Sequence, residues 1–251
     1  MLLAEPPRTA WDLNFRILGI PVRVHPMFWL VGVLLGLRSP TPVMLATWVA
    51  AVFVSILVHE LGHAVVMRAH GYRPSVTLYA LGGLASYGPG AAGPRRAGGA
   101  ASQIAIAAAG PAAGFALAGV LMAILILANV NVVVQFGLPM LVHIGVTEVV
   151  GSVPFSIFLN DVFFISVAWG IVNLLPVYPL DGGQISREVL TKIHPAEGTR
   201  WSLMLSFVTA VFLAVTALVQ WQDTFAAILF GYLAYVSYTT LAFLSGRGRW
   251  Y

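Results

Sequence analysis

Apolar positions in this chain come in long, nearly uninterrupted runs, and polar residues mostly punctuate them. Val43 to Val58 is apolar apart from Thr47 and Ser55, a composition that suits a helix in lipid. The same pattern recurs over Ala100–Ala128, Asp161–Tyr178, Trp201–Gln220 and Thr224–Leu244, and a shorter run over Met27–Leu37 brings the expected spans to six. Elsewhere the period shortens to two. Leu13 to Val24 alternates on either side of Gly19-Ile20-Pro21, which predicts two short strands at the membrane surface with Arg16 and Arg23 towards the headgroups. Val76, Leu78 and Ala80 also alternate, and Gly82-Gly83 breaks the run before Leu84 to Tyr87, predicting a hairpin or re-entrant loop. Asn129 to Asn160 is apolar but interrupted by Pro139 and Pro154, and reads as an interfacial or re-entrant piece at the outer surface. The expected fold class is therefore an all-α polytopic membrane protein of about six transmembrane helices, with short surface β-strands and a re-entrant hairpin. It forms one membrane-embedded domain over residues 1–251, with surface strands within residues 1–25.

Composition supports the class and narrows the chemistry. Hydrophobic residues make up 59% of the chain and charged ones 9%. Cysteine is absent, so disulfides and thiolate metal ligands are excluded, leaving histidine and carboxylate. With the N-terminus inside and six spans, Arg38 alone among the 13 basic residues lies outside. That asymmetry orients both termini to the cytoplasm and argues against a nucleic-acid partner, because the basic residues spread along one membrane face. No secretory leader is expected, since Glu5, Pro6, Pro7 and Arg8 precede any long apolar run.

Into the inner end of the run over residues 43–71 fall His59, Glu60 and His63. Residues four apart on a helix share a face, so both imidazoles can reach one metal ion, and Glu60 beside them can take a proton from water activated there. Such groups are costly inside a span, which makes function the default reading. Catalytic zinc takes three protein ligands, so one is missing. Asp181 is the best candidate, following the fourth span at the same membrane face; residues 43–71 and 161–183 thus carry the metal site, with one Zn2+ per chain. Asn173, two helical turns before Asp181, can offer an amide to an oxyanion. A substrate helix must unwind before cleavage, and the strand-forming loop around Leu78, Gly82, Gly83 and Leu84 can accept it by strand addition. His25, His70, His143 and His194 are read as interfacial or solvated, Glu148 and Asp161 as solvated outer-face charges, and the small residues of Gly110-Pro111-Ala112-Ala113-Gly114 as helix packing.

HELGHA (59–64) near the inner end of one span and NLLPVYPLDGG (173–183) near the inner end of another together resemble the site-2 protease family of intramembrane zinc metalloproteases. The resemblance covers essentially the whole chain. It implies peptide-bond hydrolysis in or near a transmembrane segment of a membrane-protein substrate, in regulated signalling. It implies His59, His63 and Asp181 as zinc ligands, Glu60 as general base, and Asn173 holding substrate or the oxyanion. The sequence departs from the family at Gly114, where an Asn often follows the AGP motif, and no PDZ or CBS domain is expected. A compact form is expected, in the bacterial cytoplasmic membrane, its regulatory membrane partner unidentified. The alternative is a non-hydrolytic metal transporter or receptor using the same His/His/Asp site, for which Glu60 would have no use.

Overall fold

The computed structural model describes residues 6–37, 39–80, 82–87, 99–137, 141–244 and 246. Arg38, Arg95, Arg96, Arg247 and Arg249 of the charge asymmetry lie outside these. Elements run in the order β1 (Leu13–Ile17), β2 (Ile20–Val24), α1 (Pro26–Leu35), α2 (Pro42–Ala69), β3 (Pro74–Tyr79), β4 (Gly82–Tyr87), α3 (Ala100–Leu127), β5 (Val132–Gly137), β6 (Leu141–Val146), α4 (Val153–Asn173), α5 (Asp181–Ile193), α6 (Gly198–Val219) and α7 (Thr224–Leu244). Among the described residues five helices, α2, α3, α4, α6 and α7, are long and apolar enough to cross a membrane. The chain is thus a mostly helical, polytopic membrane protein.

The remaining expected span is present but short. At ten residues α1 reaches roughly 15 Å, half a typical hydrocarbon core. It begins where the His25 ring accepts from the Met27 amide, with Pro26 at the first helical position, and it packs on α2, where the Trp48 indole donates to Gly32. The 28-residue α2 is capped by the Thr41 hydroxyl and ends at His70 and Gly71, whose φ of 88° only glycine adopts freely.

The chain divides into two compact units, residues 1–97 with 109–170, and residues 98–108 with 171–251. In the first, the predicted surface strands and the predicted hairpin form a single sheet in the order β1-β2-β3-β4. The hairpins β1–β2 and β3–β4 are antiparallel and joined by parallel pairing of Val22–Val24 with Val76–Leu78. Sequence alternation finds the strands but not this pairing, which spans more than fifty residues. One face of the sheet, with Val22, Val24, Val76 and Leu78, packs into the core beside Phe28, Ile56 and Val162.

Asn129–Asn160 resolves into two different things. Val132–Gly137 and Leu141–Val146 pair as the antiparallel strands β5 and β6, while α4 begins at Val153 rather than Asp161 and ends at Asn173 rather than Tyr178. Asn160 and Asp161, expected at the boundary between the outer-surface piece and the fourth span, instead lie inside α4. The Asn160 side chain accepts from the Val146 amide at 2.8 Å, so β6 satisfies a polar group already inside the helix. Asp161 lies half-buried in α4 and is not a solvated loop charge. In the second unit, the polar stretch after Asp181 folds as α5, which packs on α6, and α6 packs on α7.

Candidate metal centre

The site begins with one face of α2. Ser55, His59 and His63 succeed one another by single turns, and all three are buried, His59 to 4% and His63 to 7% exposure. Glu60 is buried at 6%. The two Nε2 atoms lie 3.2 Å apart, with the rings nearly perpendicular at 78°. Two nitrogens bound tetrahedrally at about 2.0–2.1 Å from zinc lie roughly 3.3 Å from each other, so the spacing of the pair matches that of two ligands on one zinc ion.

Small residues let other backbones close over this face. A Cβ at Gly110 of α3 would fall 2.7 Å from His59 Nε2 and collide with the His63 ring. Gly62, on α2, is equally closed, since its Cβ would meet Ala109 and Ala113 of α3. Glu60 is covered from another side: a Cβ at Gly83 of β4 would lie 2.6 Å from its Oε1. The Gly82-Gly83 break therefore has a steric cause, as only a residue without a side chain can cross above the carboxylate. Gly82 adds a φ of 114°. Ser166 of α4 donates to Ser55 at 3.2 Å, one turn before His59.

The second motif is built differently from the expected continuous helix. Asn173 is the last residue of α4 and Asp181 the first of α5, with a turn between them. Both are buried at 7% exposure. Gly182 and Gly183 allow the first turn of α5 to rest on the Leu174–Tyr178 backbone, where a Cβ at Gly183 would come within 2.6 Å of the Tyr178 nitrogen. Ser206 of α6 accepts from the Tyr178 amide at 3.1 Å, and Ser237 of α7 donates to the Tyr178 carbonyl at 3.4 Å.

His59 and His63 are thus paired on α2 in the first unit, and Asp181 is a buried carboxylate in the first turn of α5 in the second. The other histidines have local duties. His25 caps α1, His70 Nδ1 lies 2.8 Å from the Val66 carbonyl, His143 sits in β6 opposite Gln135, and His194 packs on Trp201 with ring centroids 4.4 Å apart. Of the expected substrate residues, Leu78 is fully buried in β3, whereas Gly83 and Leu84 are half-buried in β4. Among the described strands β4 pairs only with β3 and forms the sheet edge. Sequence reasoning missed the support residues Gly110, Ser206 and Ser237; the serines carry no pattern, and Gly110 was legible only as packing.

Comparison with known proteins adds three findings. The sequence model described as Peptidase family M50 matches residues 47–216. A zinc metalloprotease of Methanocaldococcus jannaschii is 28% identical over 181 residues, covering 71% of this chain and 45% of its own. The protein Rip3 of Mycobacterium tuberculosis is 33% identical over 206 residues, covering 71% of this chain and 43% of its own. The chain thus spans less than half the length of these curated relatives. Among solved structures, the site-2 protease from Methanocaldococcus jannaschii superposes with a TM-score of 0.57 at 22% identity, over 92% of this chain and 95% of that one. At that identity the likeness concerns the fold.

Proposed function

Because the chain belongs to peptidase family M50, we propose that it is a zinc metalloendopeptidase that hydrolyses a peptide bond in or near a transmembrane segment of a membrane-protein substrate. The observation that carries this reading is the buried His59–His63 pair, spaced at 3.2 Å for one ion, with Glu60 beside it in an apolar helix. Asp181 is the third ligand, supported by its carboxylate chemistry and its burial at the start of α5, and one zinc is held per chain.

Zinc in such a site supplies Lewis-acid activation of water and of the scissile carbonyl. Glu60 takes the proton from the attacking water and returns it to the leaving amine. Asn173, buried at the end of α4, donates its amide to the oxyanion. Substrate adds as an extended strand along Gly82, Gly83 and Leu84 of β4, with Leu78 backing that edge from β3, so that backbone hydrogen bonds replace those lost when a substrate helix unwinds. Gly83 then brings the bound chain past Glu60. The biological setting is regulated signalling at the cytoplasmic membrane, with the site towards the cytoplasmic side.

Glu60→Gln tests the enzyme reading. It keeps side-chain size and all three ligands but removes the base. The variant is expected to stay folded, hold zinc and lose about 10²–10⁴-fold in cleavage of a reconstituted transmembrane substrate. Wild-type cleavage in this variant would overturn the proposal, as would zinc movement across vesicles that ignores the change, the behaviour of a transporter.

A further inference from the structure

The sheet of the first unit has two chemically different faces. Phe15, Val22, Val24, Val76 and Leu78 turn to the core, while the alternating positions of β1, β2 and β3 carry Asn14, Arg16, Arg23, Ser75 and Thr77. With Arg8 from the preceding arm, this second face lines a cavity of about 390 Å³, at the small end of the roughly 300–1,000 Å³ typical of small-molecule sites.

Charge on this face is unbalanced. Asp12 is the one carboxylate in residues 6–37 and in β3 and β4. It is already engaged, accepting from Thr9 at 2.6 Å and from Arg23 at 3.0 Å. Arg23 is buried and also donates to the Pro6 carbonyl at 2.9 Å, so it is fixed in place. Arg8 and Arg16 are exposed and have no hydrogen-bond or ion-pair partner among the described residues. Ser75 makes only long contacts to Ser86, at 3.4 and 3.5 Å.

We propose that this cavity binds a phosphate group. Guanidinium forks match phosphate oxygens in geometry as well as charge; the Ser75 hydroxyl and the second N–H of the Asn14 amide, whose first donates to the Asp12 carbonyl at 2.9 Å, add neutral donors at the same mouth. The phosphate belongs to a lipid headgroup or to a soluble phosphate compound. Exposed Trp11, Leu13 and Leu18, along the same hairpin, put a lipid surface within reach. Its occupant would bear on the proposed chemistry through the sheet, because β3 both lines the cavity and pairs with β4, whose Gly83 lies over Glu60.

The test uses the full chain. In detergent, inorganic phosphate is titrated calorimetrically at fixed ionic strength. In parallel, unfolding temperature is measured after reconstitution into phosphatidylcholine vesicles with and without phosphatidic acid. Saturable phosphate binding identifies a soluble ligand, and stabilisation by phosphatidic acid alone identifies a headgroup. In either arm Arg8→Ala/Arg16→Ala is expected to weaken the response at least about tenfold, the loss expected when charge-assisted hydrogen bonds are removed. Arg8→Lys/Arg16→Lys should restore part of it. Arg16→Ala alone replaces the double variant if that one loses zinc or helix content. No response in either arm, or a response unchanged by these substitutions, would overturn the proposal.

Discussion

Two glycines separate the two halves of the chemistry, and the difference can be measured residue by residue. Gly110 closes on the imidazoles and Gly83 on the Glu60 carboxylate. Gly110→Ala is expected to lower zinc content as read by atomic emission, because its methyl occupies space beside both Nε2 atoms. Gly83→Ala should leave zinc in place and reduce cleavage by about 10²-fold, as displacement of a catalytic group by about 1 Å typically does. If Gly83→Ala loses zinc as fully as Gly110→Ala, Glu60 and the histidines do not have separate supports. The ligand types and their helical spacing are legible in the sequence, since HELGH places two nitrogens on one face whatever surrounds it. The glycines over them are not, because nothing local marks which backbone will approach.

Individual elements carry their own sensitivities. The arm before β1 is held by Asp12, whose carboxyl is drawn from 3.8 down to about 2, chiefly by the Thr9 hydroxyl, with the Thr9 amide and Arg23 adding to it. A carboxyl with a folded value below its unfolded one stabilises the fold at pH above about 4 and loses that contribution as pH falls towards about 2. Asp12→Asn should therefore lower the unfolding temperature at neutral pH, with the gap from wild type closing through that window. A gap that persists at the acid end would mean the effect is not the charge of Asp12. The strand period in Leu13–Val24 and Val76–Tyr87 predicts the elements themselves. Their union into one sheet depends on parallel pairing of β2 with β3, a contact across α1 and α2 that no local pattern encodes. At α4 the expected start falls at Asp161 rather than Val153, because Asn160 and Asp161 look like a polar boundary until β6 supplies a partner for Asn160.

For the whole molecule, the absence of cysteine makes topology directly testable. Single cysteines placed at Gly90, Lys192 and Arg249 should label from the cytoplasmic side, and those at Val130 and Gln222 from the opposite side. Labelling of position 192 from the outside would defeat both the orientation and the assignment of Asp181 as third ligand. Zinc content should be about one per chain and should fall in His59→Ala, His63→Ala and Asp181→Ala alike; full occupancy in Asp181→Ala would call for another ligand. By itself the sequence determined that this chain lives in a membrane, where most of its long helices run, and which residue types are the candidate metal ligands. Those properties follow from hydropathy and helical period, which act over a few turns of chain. Only the tertiary structure decided that Met27–Leu37 yields a ten-residue helix, that Asp181 opens a new helix after a turn, and that Gly83 and Gly110 seal Glu60 and the histidines. Those outcomes depend on which distant backbones can approach closely enough to exclude a methyl group, a condition set by packing rather than by local sequence.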